Sequence, residues 1–361
     1  MSDSTCLLEE VSPNGNIQAT VEQDDRVAYF YLRGAADSGF EFKACWVRNL
    51  VAAPTSTDAQ AMKNGNAPRL PAGFCRHPKG AVPLKKKDLR VVWFEEGDAA
   101  AVLEKDEILA IIPSWSGYKG FAGFARDCIG DSPLCWELDA DNVLNKRVER
   151  SDKWWADWDA KKGIWSKVQT AQCDAYTEQI GPYQKYFAID GGDWPPKAMV
   201  KIEKPEATIL STVGVCLRPQ PNVEMSTEEP ELLRRVEFGL AMSPNLAKTH
   251  FNEIAGYLSG QSRYPWSSYT WLGPFHTLGC DVLESETDFS SVLLVPSPKD
   301  APRVALPKFR RDPVNFLWFV PITEDERQFA IDNTPDGGKR LSKLLADAGH
   351  GWIWKKRRSV V

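Results

Sequence analysis

The sequence predicts an α/β (α+β) protein in two parts: an antiparallel β-rich domain over residues 1–140 and, over 141–361, a mixed sheet flanked by helices. Three observations predict it. Apolar residues recur with period two through the first part. Near residue 140 the period changes to 3.6, and beyond it strand and helix patterns mix. Finally, 361 residues with 43% hydrophobic and 26% charged content can bury sizeable cores without staples and suit two domains of ordinary size.

Each element has its own signal. Ile17–Gln23, Val27–Arg33 and Phe40–Asn49 are short, rich in Val, Tyr, Phe and Trp, and bounded by Asn14-Gly15, Asp24-Asp25 and Ser38-Gly39, which read as turns of a meander. Residues 53–88 are polar and Pro-containing, with no period, and read as a long loop. Strands resume at Leu89–Glu95, Ala99–Glu104 after the Gly97-Asp98 turn, and Ile108–Pro113. Ser114–Phe124 reads as a loop that packs its aromatics inward. From Asp141 the spacing of Val143, Leu144, Val148, Trp154, Trp155 and Trp158 is helical, and a second helix follows Gly163 and ends at Gly181-Pro182. The three tryptophans cannot share one narrow stripe, so one of them is expected outside the core.

Ala198–Glu203 and Ala207–Leu217 read as strands, and Arg235–Ser243 alternates with Val236, Phe238, Leu240 and Met242 on one face. Asn245–Ser259 is helical, with Leu246, His250, Ile254, Tyr257 and Leu258 as its stripe. Ser291–Val295 and Val314–Val320 are apolar enough to be strands buried on both faces. Thr323 and Glu326 have the spacing of a capping box, which starts a helix. Asp336-Gly337-Gly338 reads as a break before a last amphipathic helix on Leu341, Leu344, Leu345 and Ala348, closed by Gly349. The tail Lys355–Arg358 reads as solvated.

Charge and composition narrow the function. A net charge of -5 gives no general attraction to nucleic acid or anionic membranes. No run of about 18 apolar residues occurs, and the start MSDSTCLLEE carries acids where a secretory signal needs basic residues, so a cytoplasmic location is expected. Eight cysteines without a CxxC pair suit reduced, buried thiols. The four histidines show no HExxH spacing, and GxSxG, GxxxxGK[ST] and GxGxxG are all missing, so no catalytic residue, metal or cofactor is assigned. Asp190-Gly-Gly-Asp193 reads as a turn, Cys75 and His77 as loop neighbours that do not converge, and His276 as a core or rim histidine. Fourteen tryptophans are the unusual feature. Tyr264, Trp266, Tyr269, Trp271 and Phe275 cluster with small hydroxyl residues, a composition of interface anchors that also suits core packing under a loop.

The order of the C-terminal elements carries a resemblance. Residues Val314 to Arg327, followed by Gly337-Gly338 and Leu341–Leu345, resemble the closing strand, capped helix and last helix of suppressor-of-fused domains. Thr208–Gln220, Arg235–Leu240 and the aromatic segment ending in Gly273-Pro-Phe-His276 resemble earlier pieces of that family in the same order, over roughly residues 165 to 350. The resemblance implies a protein-binding module that is not an enzyme. It further implies a bacterial immunity-type protein that binds and neutralises a cognate toxin domain, with an adaptor that sequesters an endogenous protein as the alternative and a hydrolase with an unfamiliar site as a third reading. The aromatic cluster is the expected partner surface, and acidic net charge would suit a basic toxin.

Overall fold

Turn residues set the first sheet. Gly15 takes a left-handed φ of 78°, and the chain folds into a four-stranded antiparallel meander of β1 (Thr5–Val11), β2 (Ile17–Gln23), β3 (Val27–Gly34) and β4 (Lys43–Asn49). The computed structural model describes residues 4–35, 40–159, 163–267, 269–282 and 287–361, so the turn predicted at Ser38-Gly39 lies outside the described residues. Strand β1 has no sequence signal because its residues stay largely exposed; it exists through its pairing with β2. Residues 53–88 form the expected long connection, interrupted by the short helix α1 (Ala59–Lys63). It is tied down by the buried Asn49 amide, which exchanges two hydrogen bonds with the Leu70 backbone at 2.8 and 3.0 Å.

The second sheet runs β5 (Leu89–Trp93), β6 (Ala100–Glu104), β7 (Glu107–Ile112), β8 (Phe124–Ala125) and β9 (Trp136–Glu137), antiparallel except for the β8–β9 pair. Trp115, Phe121 and Phe124 close on one another, with Trp115 and Phe121 stacked at 4.7 Å, as the inward-packed loop requires. Helix α2 (Val143–Asp159) lays Leu144 and Val148 on Val92, Phe94 and Ile111. Trp154 and Trp155 are buried, and Trp158 is the partly exposed one, 5.3 Å from the Trp154 ring. Packing divides the chain at Lys162 and Gly163. The change of period near residue 140 marks where strand gives way to helix, and α2 belongs by its contacts to the unit before it.

The second unit holds α3 (Ile164–Gln179), β10 (Lys185–Ala188), β11 (Ala198–Glu203), β12 (Thr208–Val213), β13 (Val236–Met242), α4 (Pro244–Gln261), β14 (Thr277–Gly279), β15 (Phe289–Val295), β16 (Asn315–Thr323), α5 (Glu324–Asp332), α6 (Gly337–Asp347) and β17 (Ile353–Trp354). The strands form one mixed sheet in the order β10-β11-β12-β13-β16-β15-β14, with β17 also beside β13. Pairs β13–β16 and β13–β17 are parallel. Helices cover both faces. Val236, Phe238, Leu240 and Met242 pack towards Ile254 and Leu258 of α4, while Ala241 and alternate residues of β16 pack towards Tyr176 of α3 and Leu341 and Leu345 of α6. Burying a side chain such as Phe238 stabilises the fold by ~2 kcal/mol.

The capping box at Thr323 is formed: its hydroxyl accepts from the Glu326 backbone, and the Glu326 carboxylate accepts from the Thr323 backbone. Two expectations near the C-terminus need correction. Gly337 and Gly338 do not break the chain but form the first residues of α6. The tail is not simply solvated, because the Arg357 side chain is buried and pairs with the buried Glu326 carboxylate at 2.5 Å. No described helix is long and apolar enough to cross a membrane.

Candidate functional site

The aromatic segment connects the end of α4 to β14. Pro265 opens a short 3-10 turn over Tyr264–Trp266, and the chain then passes through two left-handed non-glycine residues, Tyr269 (φ 57°) and Phe275 (φ 67°). Such backbone costs about 1 kcal/mol or more at each position, and surrounding bonds must hold it. Two buried amides do so. Gln220 accepts from the Leu272 N–H at 2.6 Å and donates to the Leu272 carbonyl at 2.9 Å. Asn222 donates to the carbonyls of Ser267 and Thr270 at 3.2 and 3.1 Å. Gln220 and Asn222 escaped sequence reasoning, since nothing in a Pro-rich turn announces that its amides bind a loop some fifty residues on.

Tyr264, Trp271, Phe275, His276 and Thr277 line one wall of a cleft of about 420 Å³, and Ile331, Thr334 and Pro335 line the other. The walls meet closely at Gly338, where an added Cβ would lie 2.3 Å from the Phe275 carbonyl oxygen. That approach explains a glycine inside α6. The Trp271 ring meets the His276 ring edge-on at 4.4 Å. Burial pushes the His276 pKa below its ordinary 6.5, so the ring is neutral at pH 7 and its Nδ1 accepts from the Gly273 N–H at 3.3 Å. Strand β14 is paired with β15 and, among the described residues, has no strand on its other side. Bonds from Leu294 N to His276 O and from Cys280 N to Ser290 O fix which residues face β15. Thr277 therefore turns its N–H and C=O to the open edge.

The five expected anchors separate. Tyr264, Trp271 and Phe275 line the cleft, whereas Trp266 and Tyr269 do not. Trp266 donates from Nε1 to the Arg218 carbonyl at 3.2 Å, and its ring carries the Lys197 ammonium at 4.9 Å and the Arg218 guanidinium at 5.0 Å. Asp190 closes a turn by accepting from Gly192 N–H at 2.8 Å. His77 approaches Asp127 at 3.8 Å, and only its backbone reaches Cys75, whose thiol is raised in pKa by burial. No group of three or more His, Cys, Asp or Glu among the described residues is placed to hold a metal ion.

Residues 193–359 match the family model described as Suppressor of fused protein (SUFU). No curated protein matches the chain. One solved structure, titled "the Sufu-Fu complex crystal structure", aligns at 15% identity over 54% of this chain and 91% of its own, with a TM-score of 0.39.

Proposed function

We propose, from the match of residues 193–359 to the suppressor-of-fused family model, whose known members are protein-interaction modules, that the protein is a stoichiometric, non-enzymatic binder of the immunity type that grips and neutralises a cognate toxin. The carrying observation is that the matched segment contains every residue of the cleft between the aromatic segment and the α5–α6 junction. A partner segment would set an apolar side chain against Trp271 and Phe275 and bond its backbone to Thr277 at the open edge of β14, as an added strand. The Gln220 and Asn222 clamps support this reading, because a surface held rigid in advance loses little entropy on binding. Net charge of -5 favours encounter with a basic partner.

The test is calorimetric titration with the basic product of a neighbouring reading frame, together with rescue of cells expressing it. One-to-one binding and rescue are expected, and Trp271→Ala should weaken binding by about thirty-fold, or ~2 kcal/mol, as for an interface hot spot. Binding that ignores this substitution removes the cleft from the proposal. Binding to a harmless endogenous protein, with no rescue, replaces the immunity reading by that of an adaptor.

A further inference from the structure

The His276 ring has one nitrogen that is engaged and one that is not. Two backbone groups stand 3.3 Å from Nδ1, the Gly273 N–H and the Trp271 carbonyl. Gly273 is buried and its N–H finds no other acceptor among the described residues, whereas Trp271 is only partly buried and water can serve its carbonyl. A buried donor left unpaired costs more than a solvated acceptor, so Nδ1 accepts and the neutral ring carries its proton on Nε2. Among the described residues the Nε2–H bonds to nothing. Since Nδ1 is turned to the backbone of its own loop, the Nε2 edge is left to the cleft that His276 lines. The opposite wall holds the complement. The Thr334 hydroxyl gives its proton to the Ile331 carbonyl at 2.8 Å, so towards any other group its oxygen can only accept. No Asp, Glu, Lys or Arg lines the cleft.

We propose that this cleft reads a side-chain carboxamide, a Gln or Asn of the partner segment, with His276 as the residue that sets the specificity; this rests on the reading of the cleft as the partner's seat. The His276 Nε2–H donates to the amide oxygen, the Thr334 oxygen accepts from the amide nitrogen, and the methylenes lie against Trp271 and Phe275. A carboxamide brings an acceptor and a donor on one carbon without charge. Backbone groups of an added strand do not serve, because Thr277 takes them at the edge of β14. A carboxylate would find no counter-charge unless the ring took a second proton, and Nδ1 could then no longer accept from Gly273. An aliphatic side chain would strip water from the Nε2–H and leave it unpaired.

The experiment titrates the peptides N-acetyl-Val-Thr-X-Thr-Val-amide, with Gln, Leu or Glu at X, into the full chain by ligand-observed NMR. The Gln peptide should bind about tenfold more tightly than the Leu or Glu peptide, as for one hydrogen bond that the others fail to make. In His276→Phe, which keeps a ring against Trp271, the Gln and Leu peptides should bind alike. In His276→Gln, whose amide can accept from Gly273 and donate outward, the preference should return. The ranking in the unmodified protein needs no variant and decides the matter even if His276→Phe fails to fold. Equal binding of the Gln and Leu peptides, tighter binding of the Glu peptide, or a Gln preference that survives in folded His276→Phe overturns the carboxamide assignment; if Trp271→Ala still weakens every peptide, the cleft itself stands. Binding of no peptide, or binding that ignores Trp271→Ala, removes both. Failure to neutralise the toxin, with the Gln preference intact, removes the immunity reading and leaves the carboxamide site in place.

Discussion

Trp266 and Trp271 belong to one aromatic segment and end in opposite surroundings. Trp271 stands at the mouth of a cleft beside a neutral histidine and an open strand edge. Trp266 is the platform for two cations. Tryptophan suits both uses, since the same ring offers apolar area at its edges and a negative quadrupole on its faces. Composition therefore identifies a segment rich in recognition chemistry and cannot say which ring meets which partner. That assignment depends on Lys197, just before β11, and Arg218, in the turn that follows β12.

The comparison breaks most completely where both halves share a support. In Gln220→Ala the buried N–H and C=O of Leu272 both lose their partner, and unsatisfied buried groups cost ~1–3 kcal/mol each. A loss of ~3 kcal/mol in urea unfolding is expected, along with loss of partner binding at the cleft. A variant of unchanged stability would show that the left-handed residues hold themselves in place.

The next largest effect separates the two sides by pH. The folded pKa of Lys197, about 8, lies below its ordinary 10.5, so between those values the unfolded chain binds the proton that the folded chain has released. Stability contributed by this group thus rises as pH increases from 8 towards 10.5. Subtracting the Lys197→Met profile from that of the wild type isolates the effect. A difference curve that is flat across this window would mean that the ammonium is solvated.

Much of the fold was legible because local chemistry and packing agree. The Asn14-Gly15 and Asp24-Asp25 turns bracket β2 over Ile17–Gln23, the span the alternation marks. The Thr323 capping box starts α5 where the spacing places it, and alternation along β13 puts four apolar residues on the face covered by α4. What escaped depends on partners far away in sequence. Strands β1 and β10 are largely exposed and exist only by pairing. Gly337 and Gly338 look like a break until Ala330 and Phe275 are seen to press on them. Arg357 looks like one of a solvated run until Glu326 pairs with it. Of the candidate site, the aromatic residues were visible and their division between cleft and cation seat was not.

The smallest expected effect lies on the acid side and belongs to the other tryptophan. Burial depresses the folded pKa of His276 below 6.5, partly offset by the Trp271 carbonyl. As pH falls through 6.5 the unfolded chain takes up a proton that the folded ring refuses, so stability declines until the folded pKa is reached and then levels off. His276→Gln, which keeps an acceptor for the Gly273 N–H, should remove this dependence and leave the alkaline behaviour of the Lys197 side untouched. Chemical denaturation at pH 5 and pH 7.5 measures it. If the substitution also altered the alkaline profile, the two tryptophans would be coupled through the loop between them, and treating them as independent sites would be wrong.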